Sequence, residues 1–220
     1  MKIIVDNCGK SFHRQWLYRG LNFTFEVPEK TKTQSIALLG SNGSGKSTFG
    51  LMLLGQVSPT EGRIQWISDD NSLLSSSEII SNTFLISPAL ELPEELNLRE
   101  WFDLHQSLRG FNPALKTEDL LDLCSFTKNT LDKSIATFSS GMKQRIKLVA
   151  GFYTQSRFLF LDEPLSNLDD KGIELYFHLV ANCSMGKLLL VASNRSEEYP
   201  FCDTALKIKN NSLEIVPLNC

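Results

Sequence analysis

The segment Gly40-Ser41-Asn42-Gly43-Ser44-Gly45-Lys46-Ser47-Thr48 restricts this chain more than any other stretch of it. It follows Ile36-Ala37-Leu38-Leu39, an unbroken apolar run of the kind buried on both faces of a parallel sheet. It leads into Lys46 to Leu54, which has helical composition. The pattern G-x-x-x-x-G-K-[ST] in that setting is a phosphate-binding loop. Its glycines allow backbone conformations closed to other residues, so successive N–H groups can converge on an anion. The helix that starts at Lys46 aims its free N–H groups and positive dipole end at the same point. Lys46 supplies a mobile cation for the β- and γ-phosphates of a nucleotide, and the Ser47 hydroxyl suits Mg²⁺, which keeps most of its water. All nine residues are therefore candidate nucleotide contacts.

A second signal lies downstream, where Phe158-Leu159-Phe160-Leu161 runs into Asp162-Glu163-Pro164. Ligands of a parallel sheet bind beyond the carboxyl ends of its strands, so both carboxylates should open towards the phosphate loop. Asp162 is expected to meet Mg²⁺ directly or through one of its waters. Glu163 is expected to accept a proton from an attacking water, or to orient it.

Around these signals the chain alternates strand, loop and helix. Ile3 to Val5, the period-two run Leu21 to Val27, Gly62 to Ile67, Thr83 to Ser87 and Leu188 to Ala192 read as further strands. A helix is expected around Gly172 to Ala181, and an exposed hairpin loop over the Ser- and Asp-rich Ser68 to Ser77. Leu98 to Leu108, Thr117 to Leu123 (with Thr117 as N-cap) and Ser140 to Tyr153 carry helical spacing with no strand between them. This is an α/β pattern, a parallel-sheet core with a helical insertion.

Composition removes several function classes. With 220 residues and 42% hydrophobic content the chain can build a full core, as one large domain or two small ones. Lys plus Arg number 22 against 25 Asp plus Glu, and the pI near 5.7 suits nucleic acid poorly, so no nucleic-acid partner is expected. No stretch approaches the roughly 18 apolar residues that span a bilayer, and Met1 to Asp6 reads as a strand start rather than a signal peptide. The cysteines (Cys8, Cys124, Cys183, Cys202 and Cys220) are scattered without CxxC spacing, which favours a reducing cytoplasm over a disulfide scaffold or a zinc site.

Just upstream of the acidic strand stands Phe138-Ser139-Ser140-Gly141-Met142-Lys143-Gln144-Arg145. It resembles the signature segment of the ATP-binding cassette (ABC) family, Leu-Ser-Gly-Gly-Gln followed by Gln-Arg, with Ser140 at the first Gly and Met142 at the Gln. The likeness to these nucleotide-binding subunits of ABC transporters runs from about residue 2 to about residue 210. It implies a P-loop NTPase parallel-sheet core with an antiparallel β portion, in one ABC domain. Residues 1–87 and 146–220 would form the core and 88–145 the helical subdomain. It also implies ATP and Mg²⁺ as cofactors. Ser139, Ser140 and Gly141 would complete the nucleotide site of the opposite subunit in a head-to-tail dimer of like or unlike cassettes. Ser166-Asn167-Leu168-Asp169 is similar to the family's D-loop, where Asp169 would communicate between the two sites. The aromatic that stacks on adenine falls near Phe12, with Trp16 as the alternative.

Two departures accompany the resemblance. Pro88 stands where the family's Q-loop glutamine is expected, and Asn194 where its switch histidine is expected. Asparagine can donate a hydrogen bond to a γ-phosphate oxygen but cannot carry a proton. His13, His105 and His178 fall elsewhere, as surface or packing residues. With Lys46, Glu163 and Asn194 as the catalytic set, the resemblance implies slow ATP hydrolysis. The chain would be a cytoplasmic subunit held at the inner face of the membrane by a transmembrane permease subunit. Trp101, Phe102 and Phe111 either line the docking groove for that subunit or pack the helical middle. The alternatives are an ABC regulatory module without catalysis and a soluble ABC protein of DNA repair or ribosomes.

Overall fold

The computed structural model describes residues 1–111, 116–209 and 212–218; Cys220 lies outside them. Nine strands are described: β1 (Lys2–Phe12), β2 (Gln15–Glu26), β3 (Gln34–Leu39), β4 (Glu61–Ile67), β5 (Thr83–Ile86), β6 (Phe158–Asp162), β7 (Leu188–Ala192), β8 (Thr204–Lys209) and β9 (Ser212–Val216). The helices are α1 (Lys46–Leu53), α2 (Ser76–Asn82), α3 (Leu98–Leu108), α4 (Thr117–Cys124), α5 (Ser140–Tyr153) and α6 (Asp170–Cys183). Strands pair in the order β5-β6-β7-β3-β8-β9, parallel throughout except for the antiparallel pair β8 and β9. A separate antiparallel sheet has the order β2-β1-β4.

The larger sheet is buried on both faces, and its side chains alternate between two cores. Phe158 and Phe160 of β6, Leu188 and Leu190 of β7, and Ile36 and Leu38 of β3 face α1 and the antiparallel sheet. Leu159, Leu161, Leu189, Val191 and Ala37 face α5, α6 and the helices of the middle segment. Two-sided burial is why these strands read as continuous apolar runs. One glycine sets how closely α1 approaches β6: a Cβ at Gly50 would meet the Phe160 ring at 2.0 Å. Gly50→Ala should therefore destabilise the fold by about 1–3 kcal/mol through overpacking. Phe160→Leu in the same chain should recover part of that loss in urea denaturation. A single variant as stable as the parent would contradict this packing.

Several elements differ from their sequence reading. Strands β1 and β2 are longer than the apolar runs because they continue as a hairpin through His13 and Arg14, with φ of 47° and 65°. Only Ser68 to Ser72 forms the expected exposed turn, because Ser75 and Glu78 make a reciprocal capping box that starts α2. Thr117 is the first residue of α4 rather than its cap; the Lys116 N–H before it donates to Asp119. The hairpin β8–β9 adds two strands absent from the sequence reading, with Leu206, Ile208, Leu213 and Ile215 alternating with polar neighbours. Trp101, Phe102 and Phe111 are buried at 7%, 2% and 3% exposure, so they pack the helical middle and line no groove.

His105 belongs to that same packing. Its ring stacks on Phe111 at 4.6 Å and its Nε2 pairs with the Thr154 hydroxyl at 2.8 Å. Burial, aided by Arg109, lowers its pKa from 6.5 to about 4. Between those values the unfolded chain binds a proton that the folded chain refuses. Stability present above pH 6.5 is thus lost as the pH falls towards 4. We expect His105 to account for roughly 2 kcal/mol of that loss. His105→Gln should flatten the slope measured by urea titration between pH 7 and pH 4.5; an unchanged slope would contradict the assignment.

Candidate functional site

The carboxyl ends of four neighbouring parallel strands deliver the site residues. The phosphate loop follows β3, Ser87 follows β5, Asp162 and Glu163 close β6, and Asn194 follows β7. Asp162 and Leu38 both pair in register with Ala192, so the acidic end and the loop start at one level of the sheet. The loop needs its glycines: Gly45 sits at φ 92°, and a Cβ on it would press on the Tyr18 ring at 2.7 Å. The first N–H groups of α1 have no carbonyl within the helix to bond. The buried Ser44 hydroxyl has no partner among the described residues. A concavity of free donors of this kind suits an anion.

The Lys46 ammonium lies inside that concavity. It donates to the carbonyls of Gly40 at 2.7 Å and Ser41 at 3.3 Å, and to the Asn194 side-chain oxygen at 3.1 Å. Burial lowers its pKa, opposed by the nearby Asp162 and Glu163 charges. The Asn194 amide in turn donates to Asn42. The structure thus brings Lys46, Asn42 and Asn194 into one chain of contacts from loops after β3 and β7.

Burial raises the Asp162 pKa, with Glu163 adding to it; the Ser47 and Ser87 hydroxyls and Lys46 pull it back down. Hard oxygen donors from Ser47 and Asp162 fit Mg²⁺. No cluster of three His, Cys, Asp or Glu is placed to hold a metal among the described residues, so the ion would rely on phosphate and water for its remaining ligands. Glu163 is held at φ 46°, a region that non-glycine residues seldom occupy. Its N–H bonds the Ala192 carbonyl at 3.0 Å, and Ser166 donates to its carboxylate at 3.3 Å. Its side chain borders a cleft of about 460 Å³ with Phe12, Asn42, Gly43, Gly45, Lys46, Ser47, Thr48 and Asp162.

Of the two aromatic candidates only Phe12, 47% exposed, lines this cleft; Trp16 instead lies under the Arg19 guanidinium at 4.6 Å. Ser139, Ser140, Gly141 and Asp169 do not join it. They line a different cavity of about 480 Å³ together with Phe126, Met142 and Arg145. Ser139 caps α5 by accepting the Met142 N–H at 3.2 Å, and a Cβ on Gly141 would meet the Asn167 carbonyl at 2.6 Å. Asp169 caps α6 and pairs with Arg145.

Sequence reasoning placed Pro88 at the Q-loop position and passed over Ser87. In the structure it is Ser87, following Ile86 in its register with Leu161, that lies beside Asp162, and Pro88 is one residue further on. The available signal was position, since Ser87 is the first residue after β5. Nor did any sequence signal point to the buried Lys147, whose ammonium lies beneath the same loop.

Comparison with known proteins gives a consistent result. Residues 20–166, more than half of the chain, match the family described as ABC transporter. The uncharacterized ABC transporter ATP-binding protein YcbN of Bacillus subtilis (strain 168) is 33% identical over 183 residues, covering 80% of this chain and 58% of that relative. The ribosome protection protein VmlR of the same organism is 30% identical over 210 residues, covering 96% of this chain and 35% of that relative. The chain therefore spans between a third and three fifths of these relatives' lengths. A solved structure of the ATP-binding subunit of an ABC transporter superposes with a TM-score of 0.83 at 22% identity, covering 100% of this chain and 91% of its own.

Proposed function

The chain belongs to the ABC transporter family of ATP-binding proteins, and from that membership we propose that it hydrolyses ATP to drive transport through a separate membrane subunit. The observation that carries this reading is the meeting of Lys46, Asp162, Glu163 and Asn194 at the ends of adjacent parallel strands. The loop Gly40 to Thr48 binds the nucleotide phosphates, and Phe12 stacks on the base. Ser47 and Asp162 would hold Mg²⁺, which would supply positive charge against the phosphates. Glu163 takes a proton from the water that attacks the γ-phosphorus; the bond to the β–γ bridging oxygen breaks, leaving ADP and inorganic phosphate. Lys46 and the loop N–H groups meet the charge that develops. Asn194 donates to a γ-phosphate oxygen but relays no proton. Removing one preorganised donor typically costs about 10²–10³ in rate; the Asn194 donation softens that loss, so turnover is slow but real.

Ser139, Ser140, Gly141 and Asp169 line a cavity apart from the phosphate loop of their own chain, which supports a role at the site of a second cassette. ATP closes such a dimer and hydrolysis reopens it, a population shift that a membrane subunit can harness. Residues 1–87 and 146–220 act as the ATP-binding core and 88–145 as the helical subdomain that meets that subunit. Among the described residues no helix is long and apolar enough to cross a membrane. The ribosome protection protein among the relatives raises the other use of this family, but a net charge of −3 works against gripping RNA.

The test is fractionation of the tagged protein from its own cells, followed by phosphate release from the isolated complex. Co-purification with a membrane protein and Mg²⁺-dependent phosphate release are expected. Recovery with ribosomes, or no release above background, would contradict the proposal.

A further inference from the structure

Lys147 of α5 is 4% exposed, and no carboxylate lies within ion-pair reach of it among the described residues. Its ammonium donates to the carbonyls of Ser87 at 2.6 Å, Leu90 at 3.1 Å and Pro88 at 3.5 Å. A buried cation has to be compensated, and here the loop after β5 compensates it with main-chain oxygens. One turn further along α5, a Cβ on Gly151 would meet Ile86 at 2.6 Å, so helix and strand end already touch beside the contact. Within the loop, Ser87 is 5% exposed and its hydroxyl accepts the Ala89 N–H at 3.3 Å. Ile86 pairs in parallel register with Leu161, so the next residues, Ser87 and Asp162, lie side by side at the ends of β5 and β6.

The geometry points to Lys147 and Ser87 as a positioning pair for the magnesium site: the ammonium fixes the loop so that the Ser87 hydroxyl orients Asp162 towards the ion. The inference rests on Asp162 as the partner of Mg²⁺. It differs from the contact a Q-loop glutamine makes, because neither Ser87 nor Lys147 has to touch metal or nucleotide. The Lys147 ammonium is engaged by backbone oxygens, and it is Ser87 that sits next to the acid in the strand register. Groups that orient a metal-binding carboxylate typically contribute about 10–100-fold to metal affinity.

The test measures ATP affinity by calorimetry with Mg²⁺ and with EDTA, in the parent protein and in Ser87→Ala, Lys147→Met and the double variant. The ratio of the two affinities should fall about tenfold in each single variant, with the EDTA value unchanged. The double variant should fall no further than the singles, because both residues act through one carboxylate. Lys147→Arg, which keeps donors for the carbonyls, should restore part of the ratio. An unchanged ratio in Ser87→Ala would overturn the pair, as would equal losses with and without Mg²⁺ in a folded Lys147→Met. Should Lys147→Met fail to fold, Ser87→Ala alone decides. If the parent itself shows no Mg²⁺-dependent gain, the assignment of Asp162 fails first and the pair fails with it.

Discussion

Lys46→Ala should lose about 100-fold in ATP affinity, the equivalent of roughly 2.7 kcal/mol and within reach of one buried charge-assisted contact. In the structure the ammonium is already desolvated and hydrogen-bonded by Gly40, Ser41 and Asn194. Two carboxylates, Asp162 and Glu163, also act on its charge. Removing it leaves a polyphosphate facing those carboxylates with no opposing charge from the loop. Lys46→Arg should recover little, because a planar fork does not fit a nest of carbonyls shaped around a point charge. Calorimetry of ATP binding at fixed salt measures the loss. Unaltered affinity in a folded Lys46→Ala would refute the phosphate loop as assigned.

Glu163→Gln should leave ATP affinity intact and reduce turnover by about 10²–10⁴-fold, the range a general base contributes. Glutamine adopts the φ of 46° as readily as glutamate and can still accept from Ser166, so geometry survives while proton acceptance is lost. With hydrolysis blocked and binding preserved, the closed two-cassette state should accumulate. Light scattering would detect a doubling of mass on adding ATP and Mg²⁺, and a phosphate-release assay would give the rate. Full turnover in this variant would move the base elsewhere.

What the sequence disclosed follows from how locally each feature is encoded. The phosphate loop and the acidic strand end are contiguous segments flanked by apolar runs, so Gly40 to Thr48, Asp162 and Glu163 were readable without any tertiary information. Asn194 could be placed because it closely follows a buried strand. Features made by distant segments were not readable. The placing of Ser87 beside Asp162 depends on the pairing of β5 with β6, and nothing near Lys147 in the chain announces that three carbonyls some 60 residues upstream receive it. Aromatic residues were ambiguous for a related reason. Residue type alone does not distinguish a stacking platform from core, and it was burial that separated the exposed Phe12 from the packed Trp101, Phe102 and Phe111. The β8–β9 hairpin does carry the period-two pattern of a half-buried strand in Leu206-Lys207-Ile208-Lys209, a signal the sequence reading leaves unused.

The central claim is that one metal-nucleotide complex touches both the loop after β3 and the end of β6. Iron(II) replacing magnesium in the ATP complex, with ascorbate and peroxide, cuts the backbone beside the metal, and mass spectrometry locates the cuts. ATP-dependent cuts near Ser47 and near Asp162 are the expected result. Cuts at only one of these, or a pattern that is the same without ATP, would contradict it.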